Sequence, residues 1–172
     1  MISANRRDVW LRMGDAALLK ECSEERYRAS GPGGQRRNKV ETAVRLRHLP
    51  TGCTAQAEES RYLGQNRIRA IRRLRERLAL ELRIPFDLAS PPSVPEFQAQ
   101  RTPNGGLAVN RGNPSYPIIV ATVLDALEAS NGSYAKAARA LGLTTSQVLR
   151  FLRSDPQIQR TLTSMGRTKT SL

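Results

Sequence analysis

Acidic, histidine, cysteine and aromatic residues are all scarce in this chain, and each scarcity removes a class of function. The 172 residues include one histidine, His48, and two cysteines, Cys22 and Cys53, with no CxxC spacing. A zinc site needs four N, S or O ligands, or three and a water, and this set supplies no such pattern. No metal and no cofactor is expected. A reduced, intracellular and cytoplasmic chain is the simplest expectation, with Cys22 and Cys53 read as small core residues in apparent strands. Aromatic residues make up 5% of the chain, too few for stacking bases on an aromatic platform to be the main binding mode. Residues 1–13 lack the apolar core of a signal peptide and no stretch approaches a transmembrane span, so no membrane partner is expected. A lone histidine leaves no Ser-His-Asp set, there is no GxxxxGK[ST] phosphate loop, and no pair of carboxylates lies near the glycine-rich loop at 31–34.

What the chain has is positive charge. Lys and Arg number 28 against 15 Asp and Glu, a formal net charge of +13. Such an excess attracts polyanions. Arginine dominates the basic stretches, and its planar fork matches phosphate and stacks on bases, which points to nucleic acid before a membrane surface. The cations gather around Ser30–Lys39, Ser-Gly-Pro-Gly-Gly-Gln-Arg-Arg-Asn-Lys. Gly31, Pro32, Gly33 and Gly34 allow no regular element. Arg26 and Arg28 precede this loop, and Arg36, Arg37, Asn38 and Lys39 close it. Glu41 stands alone beside it, so the loop has no general base of its own. Glycines permit backbone N–H groups to approach where a Cβ would block them, and such a donor aimed at a developing oxyanion contributes roughly 3 kcal/mol to an acyl-transfer transition state. The Gln35 amide both donates and accepts and can orient a water. Read without context, Gly-Gly-Gln is equally a surface turn.

Around the loop, a short helix over 15–20 with Asp15 as its cap leads into a strand over 22–29. Residues 40–49 alternate from Thr42, with Val44, Leu46 and His48 on one face. Pro50-Thr51-Gly52 is turn chemistry before a strand over 53–57, making a hairpin. From 63 to 83, Ile68, Ile71, Leu74, Leu78 and Leu82 recur at helical spacing, with Arg67, Arg69, Arg72, Arg73, Arg75 and Arg77 on the other faces. Only Glu76 and Glu81 are acidic in that span, too few to pair these arginines, so the face is read as a phosphate contact, or else as a solvated helix face. Residues 85–114 read as a Pro/Gly-rich linker with a docked segment at Phe97. Beyond it, a helix ends at Asn131-Gly132, Ser133 caps a second that Gly142 ends, Thr144 to Gln147 form a capping box for a third, and Asp155-Pro156 opens a fourth. The pair joined across Leu141-Gly142-Leu143 reads as a helix-turn-helix, either a nucleic-acid reader through Thr145, Ser146, Gln147 and Arg150 or a packing unit.

The run from Arg28 to Leu46, Arg-Ala-Ser-Gly-Pro-Gly-Gly-Gln-Arg-Arg-Asn-Lys-Val-Glu-Thr-Ala-Val-Arg-Leu, resembles the Gly-Gly-Gln domain of class I peptide-chain release factors and of their short, codon-independent ribosome-rescue relatives. Pro50-Thr51-Gly52, Ser60-Arg61, Gln65-Asn66 and the basic helix extend the resemblance over about 15–83. It implies that Gly33, Gly34 and Gln35 are the catalytic residues of a peptidyl-tRNA hydrolase acting only within the ribosome, with the Gln35 N–H at the transition state and its side chain limiting access to water. It implies that Arg26, Arg28, Arg36, Arg37, Asn38, Lys39, Arg67, Arg69, Arg72 and Arg73 contact RNA. The partners would be the large-subunit rRNA, peptidyl-tRNA and a methyltransferase acting on Gln35. Full-length members carry a separate codon-reading domain, for which 172 residues leave no room, so codon-independent rescue of stalled ribosomes is the expected function. The alternatives are a non-catalytic ribosome- or RNA-binding quality-control factor and a DNA-binding regulator acting through the C-terminal helices. The expected fold is α+β, a β-hairpin sheet packed on a long basic helix over 1–84, a linker over 85–114, a small all-α helix-turn-helix-like domain over 115–165 and a polar tail over 166–172.

Overall fold

The computed structural model describes residues 6–28, 40–90 and 92–164. It divides into two compact units, Met1–Leu78 and Ala79–Leu172. The fold is α+β, with its sheet in the first unit.

Helices α1 (Arg6–Arg12) and α2 (Asp15–Lys20) lead into strand β1 (Cys22–Tyr27), which pairs antiparallel with β2 (Ala43–His48), itself paired antiparallel with β3 (Thr54–Ala57). Gly14 takes the cap position of α2, and Asp15 sits in the first turn, where its carboxylate accepts from Arg75 Nη1 at 2.6 Å. β2 is the central strand. Val44, Leu46 and His48 are fully buried while Arg45 and Arg47 face solvent, as period-2 alternation requires. The β2–β3 turn closes through Gly52 N–H to His48 O at 2.8 Å, with Gly52 at φ +75°, a conformation that favours glycine.

The long helix α3 (Leu63–Glu81) begins in the first unit. Arg67 reaches Glu24 on β1 and Arg73 reaches the Gln56 carbonyl on β3, so the helix crosses the sheet. Its buried stripe is Asn66, Ala70, Ile71, Leu74 and Leu78. Ile68, expected on that stripe, is 62% exposed. The true register runs through Asn66 and Ala70, small or hydrogen-bonding residues that let the helix start approach the sheet closely.

Away from the loop end of the sheet, Trp10 of α1 stands edge-on to the His48 ring, centroids 4.5 Å apart at 79°. Its indole N–H donates to Glu21 at 3.2 Å. Cys22 Sγ lies 3.2 Å from Leu18 O, and burial, with Glu21 nearby, pushes its thiol up to about 11, as befits an unreactive packing residue.

In the second unit, α5 (Tyr116–Ala129) is buried on all sides from Tyr116 to Leu127, the mark of a central helix. Around it lie α6 (Tyr134–Leu141), α7 (Thr145–Arg153) and α8 (Pro156–Ser164). Ser133 Oγ accepts from Lys136 N–H, Gly142 ends α6 at φ +63°, and both halves of the Thr144/Gln147 capping box are formed. Buried Asp155 caps α8 by accepting from Gln157 N–H at 2.8 Å and also accepts the Tyr116 hydroxyl at 2.8 Å. The stretch read as a linker contains α4 (Pro95–Ala99), whose Phe97 is fully buried, and a bridge between Arg101 and Leu107. The docked segment expected at Phe97 is therefore present. It is held by apolar burial and by Arg101, which donates to the Leu141 and Gly142 carbonyls at 2.8 and 2.7 Å.

Burial holds the His48 imidazole below its ordinary value, with Glu21 opposing and Arg6 reinforcing that shift. His48 thus stabilises the fold fully above about pH 6.5, and that stability is lost as pH falls, because the unfolded chain takes up a proton the folded one resists. Urea midpoints at pH 7.5 and pH 5.5 check this: the wild type is expected to fall toward pH 5.5 and His48→Gln to be flatter across that window. Equal wild-type midpoints would contradict it.

Candidate functional site

The segment between β1 and β2 leaves and re-enters the sheet through one residue pair. Tyr27 of β1 lies opposite Ala43 of β2, and the register runs unbroken to Cys22 opposite His48. The excursion therefore departs from the sheet end opposite the β2–β3 turn. Gly33, Gly34, Gln35, Arg36, Arg37, Asn38 and Lys39 lie outside the described residues. The stems and the surface beside them are described.

Three contacts fix the stems. On the return side, Asn66 is fully buried in the first turn of α3. Its Nδ2 donates to Thr42 O at 2.7 Å and Ser60 O at 2.8 Å, and its Oδ1 accepts from Ser60 N–H at 2.9 Å. One amide thus ties the lead-in to β2, the chain after β3 and the start of the helix. On the outgoing side, Tyr27 donates its hydroxyl to Glu58 at 3.2 Å, and the Arg45 guanidinium lies 5.3 Å from its ring centroid. Burial first, then the Glu58 charge and hydrogen bond, push the Tyr27 phenol upward, so it stays protonated as a donor. Between the stems, Arg28 Nε stands 3.7 Å from Glu41. That pair is exposed on both sides and contributes little.

Beside the stems lies the basic surface. Arg67 clasps Glu24 in a two-pronged pair, Nε and Nη2 each 2.7 Å from a carboxylate oxygen. Arg26 donates to the same carboxylate at 3.1 Å. The Arg67 hydrogen bond is the main cause holding Glu24 below its ordinary carboxylate value. Further along α3, Arg73 donates to Gln56 O at 2.7 Å and to Glu59, while Arg69 stands 3.9 Å from Glu59 and Arg72 3.5 Å from Glu76. Burial is the largest single influence on the Glu59 carboxyl and raises it, but the Arg73 hydrogen bond and charge, together with backbone hydrogen bonds, outweigh it and the net shift is down.

This corrects the expectation that the helix arginines lack acids. Glu76 and Glu81 are the only acids in the helix itself, but folding brings Glu24 from β1 and Glu59 from the chain after β3 against it. Long-range pairing of this kind has no local signature. It sorts the expected RNA contacts into two groups. Arg67 is committed to a fork geometry that fastens α3 to β1. The side chains of Arg69, Arg72 and Arg73 remain between 43% and 55% exposed. Their pairs are of the surface kind, which an incoming phosphate displaces at small cost. Arg26 and Arg28 are likewise exposed at the stem.

Sequence reasoning named Asn66 only within the resemblance and gave no role to it, to Glu24 or to Glu59. Asn66 had one signal: a polar residue four positions before Ala70 on the stripe that also carries Leu74 and Leu78. Among the described residues no group of three or more His, Cys, Asp or Glu could hold a metal ion, and no helix is long and apolar enough to cross a membrane.

A three-stranded antiparallel sheet with a basic helix across it and a glycine-rich excursion between its first two strands is the class of domain in hand. The family described as RF-1 domain matches residues 18–87. Over these residues the chain is similar to the class I peptide chain release factors. It is 50% identical over 65 residues to peptide chain release factor 1 of Chloroherpeton thalassium, covering 37% of this chain and 18% of the relative. It is 48% identical over 56 residues to peptide chain release factor 2 of Buchnera aphidicola, covering 33% and 15%. With peptide chain release factor 2 of Acidovorax sp. it shares 54% over 52 residues, covering 30% and 14%. The chain thus spans less than a fifth of the length of these relatives.

Removing the Asn66 amide strands three part-buried backbone groups, the Thr42 carbonyl and the Ser60 N–H and carbonyl. Asn66→Ala is expected to cost about 2–3 kcal/mol of unfolding free energy, read by urea denaturation. A loss below about 0.5 kcal/mol, the range of neutral surface changes, would contradict the assignment.

Proposed function

We propose that this chain hydrolyses the ester of peptidyl-tRNA inside the ribosome, independently of a stop codon, and so releases nascent chains from stalled ribosomes. What supports the reading is the sequence position of Gly33-Gly34-Gln35, within the segment that matches the RF-1 domain. In sequence the tripeptide falls between β1 and β2, where Tyr27 lies opposite Ala43 and Asn66 holds the lead-in to β2 at Thr42. Firmly held strand ends with a glycine-rich sequence between them suit a reagent that must enter a crowded RNA site.

In this reading water adds to the ester carbonyl carbon, and the ribose oxygen leaves with a proton. The Gln35 backbone N–H stabilises the charge that develops on the carbonyl oxygen, an interaction made fully only in the transition state. The Gln35 side chain restricts which nucleophile enters. Gly33 and Gly34 permit the approach that a Cβ would obstruct. Among the described residues at the stems, the carboxylates Glu41 and Glu58 stand beside Arg28 and Tyr27. The tRNA ribose and the large-subunit rRNA would complete the site. Arg26, Arg28, Arg36, Arg37, Asn38 and Lys39 hold RNA around the tip, and Arg69, Arg72 and Arg73 extend that contact along α3. Arg67 is reassigned to holding the helix on the sheet. Gln35 is also a candidate for methylation by a glutamine methyltransferase partner.

The test separates chemistry from binding. Gln35→Ala and Gly34→Ala are expected to lower peptide release from stalled ribosomes by at least 10²-fold while co-sedimentation with ribosomes stays near wild type, as loss of a transition-state donor requires. Unchanged release would overturn the reading. Ribosome association by the wild type without any release would favour a non-catalytic quality-control factor.

A further inference from the structure

The helical second unit is not accounted for by the release-factor domain, and its surface has a consistent chemistry. From Ser133 to Ser164 the only acid is Asp155, which is buried and engaged by Tyr116, Gln157 and Arg111. Lys136, Arg139, Arg150, Arg153 and Arg160 are all exposed, and none is ion-paired among the described residues. This contrasts with α3, where neighbouring acids pair most of the arginines. On α7, Val148, Phe151 and Leu152 face the core, while Ser146, Arg150 and Arg153 share the opposite stripe at i, i+4 and i+7.

The turn that presents this stripe is pre-set. Arg101 donates to Leu141 O and Gly142 O, satisfying carbonyls at the C-terminus of α6 and neutralising that end. A side chain at Gly142 would meet the Arg101 guanidinium at 3.2 Å, and one at Gly106 would meet Gln147 Nε2 at 3.3 Å. The bridged 101–107 turn thus packs directly against the helix-turn-helix. Gln147, the long amide in the first turns of α7, is spent there: its Oε1 accepts from Thr144 N–H at 2.8 Å. A helix that reads bases in a DNA groove does so mainly through long amides and arginines near its N-terminus. Here the available first-turn groups are the short hydroxyls of Thr145 and Ser146, and the arginines lie further along. That arrangement suits phosphates better than base edges.

We propose that the exposed face of α7, with Arg150 and Arg153 at its centre and Lys136 and Arg139 of α6 as further cations, docks on the phosphate backbone of duplex RNA. Charge complementarity carries the class of partner. The choice of RNA over DNA rests on the reading of the first unit as a factor that works within the ribosome. A helix cannot enter the deep, narrow major groove of A-form RNA, so contact there is made along phosphates and is indifferent to sequence. The chain would then hold RNA at a second place, adding effective concentration to the first contact.

Fluorescence anisotropy of the full chain on a blunt RNA duplex of two helical turns, and on the DNA duplex of the same sequence, tests this between 50 and 200 mM salt. Arg150→Gln/Arg153→Gln is expected to weaken RNA binding roughly tenfold and to reduce the slope of log K against log salt by about 1–2, the loss of two phosphate contacts. Arg150→Lys/Arg153→Lys is expected to restore most of both, since a point charge serves a phosphate. Unchanged affinity and slope in the Gln variant would overturn the proposal, as would wild-type preference for DNA with the loss confined to DNA. Loss of peptide release in Gln35→Ala leaves this binding untouched, so the two readings fail separately. RNA binding that depends on Arg150 and Arg153 in a wild type without release activity supports this proposal and overturns only the catalytic one.

Discussion

A single buried amide organises the functional end of the first unit. From a fully buried position in the first turn of the long helix, Asn66 makes three hydrogen bonds, one to Thr42 where the chain enters β2 and two to the Ser60 backbone after β3. A buried polar group is tolerable only when satisfied, and a fully satisfied one fixes geometry that apolar packing alone leaves loose. Apolar contacts between helix and sheet (Ile71, Leu74 and Leu78 against a face with Val44 and Leu46) account for the burial. They do not specify which residue of the helix meets which strand end. The amide does, and it sits at the strand end from which the glycine-rich segment departs.

Charge arranges the rest of that surface at two strengths. The Arg67–Glu24 fork is geometrically matched and partly sheltered, so it behaves as structure. Arg69, Arg72 and Arg73 hold their acids at the surface, where ion pairs are weak and a phosphate is an equal or better partner. Acids of the protein therefore do not cancel the basic face, because pairs this exposed are weak. In the second unit the exposed cations between Ser133 and Ser164 have no such acids, and the basic character there is fully presented to solvent.

Local chemistry was legible in the sequence and long-range chemistry was not. The caps at Ser133 and Thr144, the glycine end at Gly142, the proline start at Pro156 and the Pro50-Thr51-Gly52 turn act within a few residues of themselves, and all of them fold as their chemistry dictates. The alternation in β2 likewise placed Val44, Leu46 and His48 on the buried face. The acids of α3 could not be read because Glu24 and Glu59 come from other elements. Ile68 misled because apolar spacing alone suggested a stripe that the polar Asn66 in fact begins. Residues 85–114 have linker composition, yet Phe97 and Arg101 hold part of them against helices far along the chain, which composition does not register. At the site itself, the Ser30–Lys39 motif was visible from its residues, while the stem clamp at Asn66 and the Tyr27–Glu58 contact needed the fold.

The central proposal is that the Gly-Gly-Gln segment between β1 and β2 acts as a reagent delivered to a ribosomal site without needing a stop codon. The most direct measurement is the rate of peptide release by the wild-type chain from ribosomes stalled on mRNA truncated in the reading frame, alongside complexes paused at a stop codon. The account predicts release from the truncated complex well above spontaneous hydrolysis, with no gain from a stop codon. Release only at a stop codon, or none above the spontaneous rate, would contradict it.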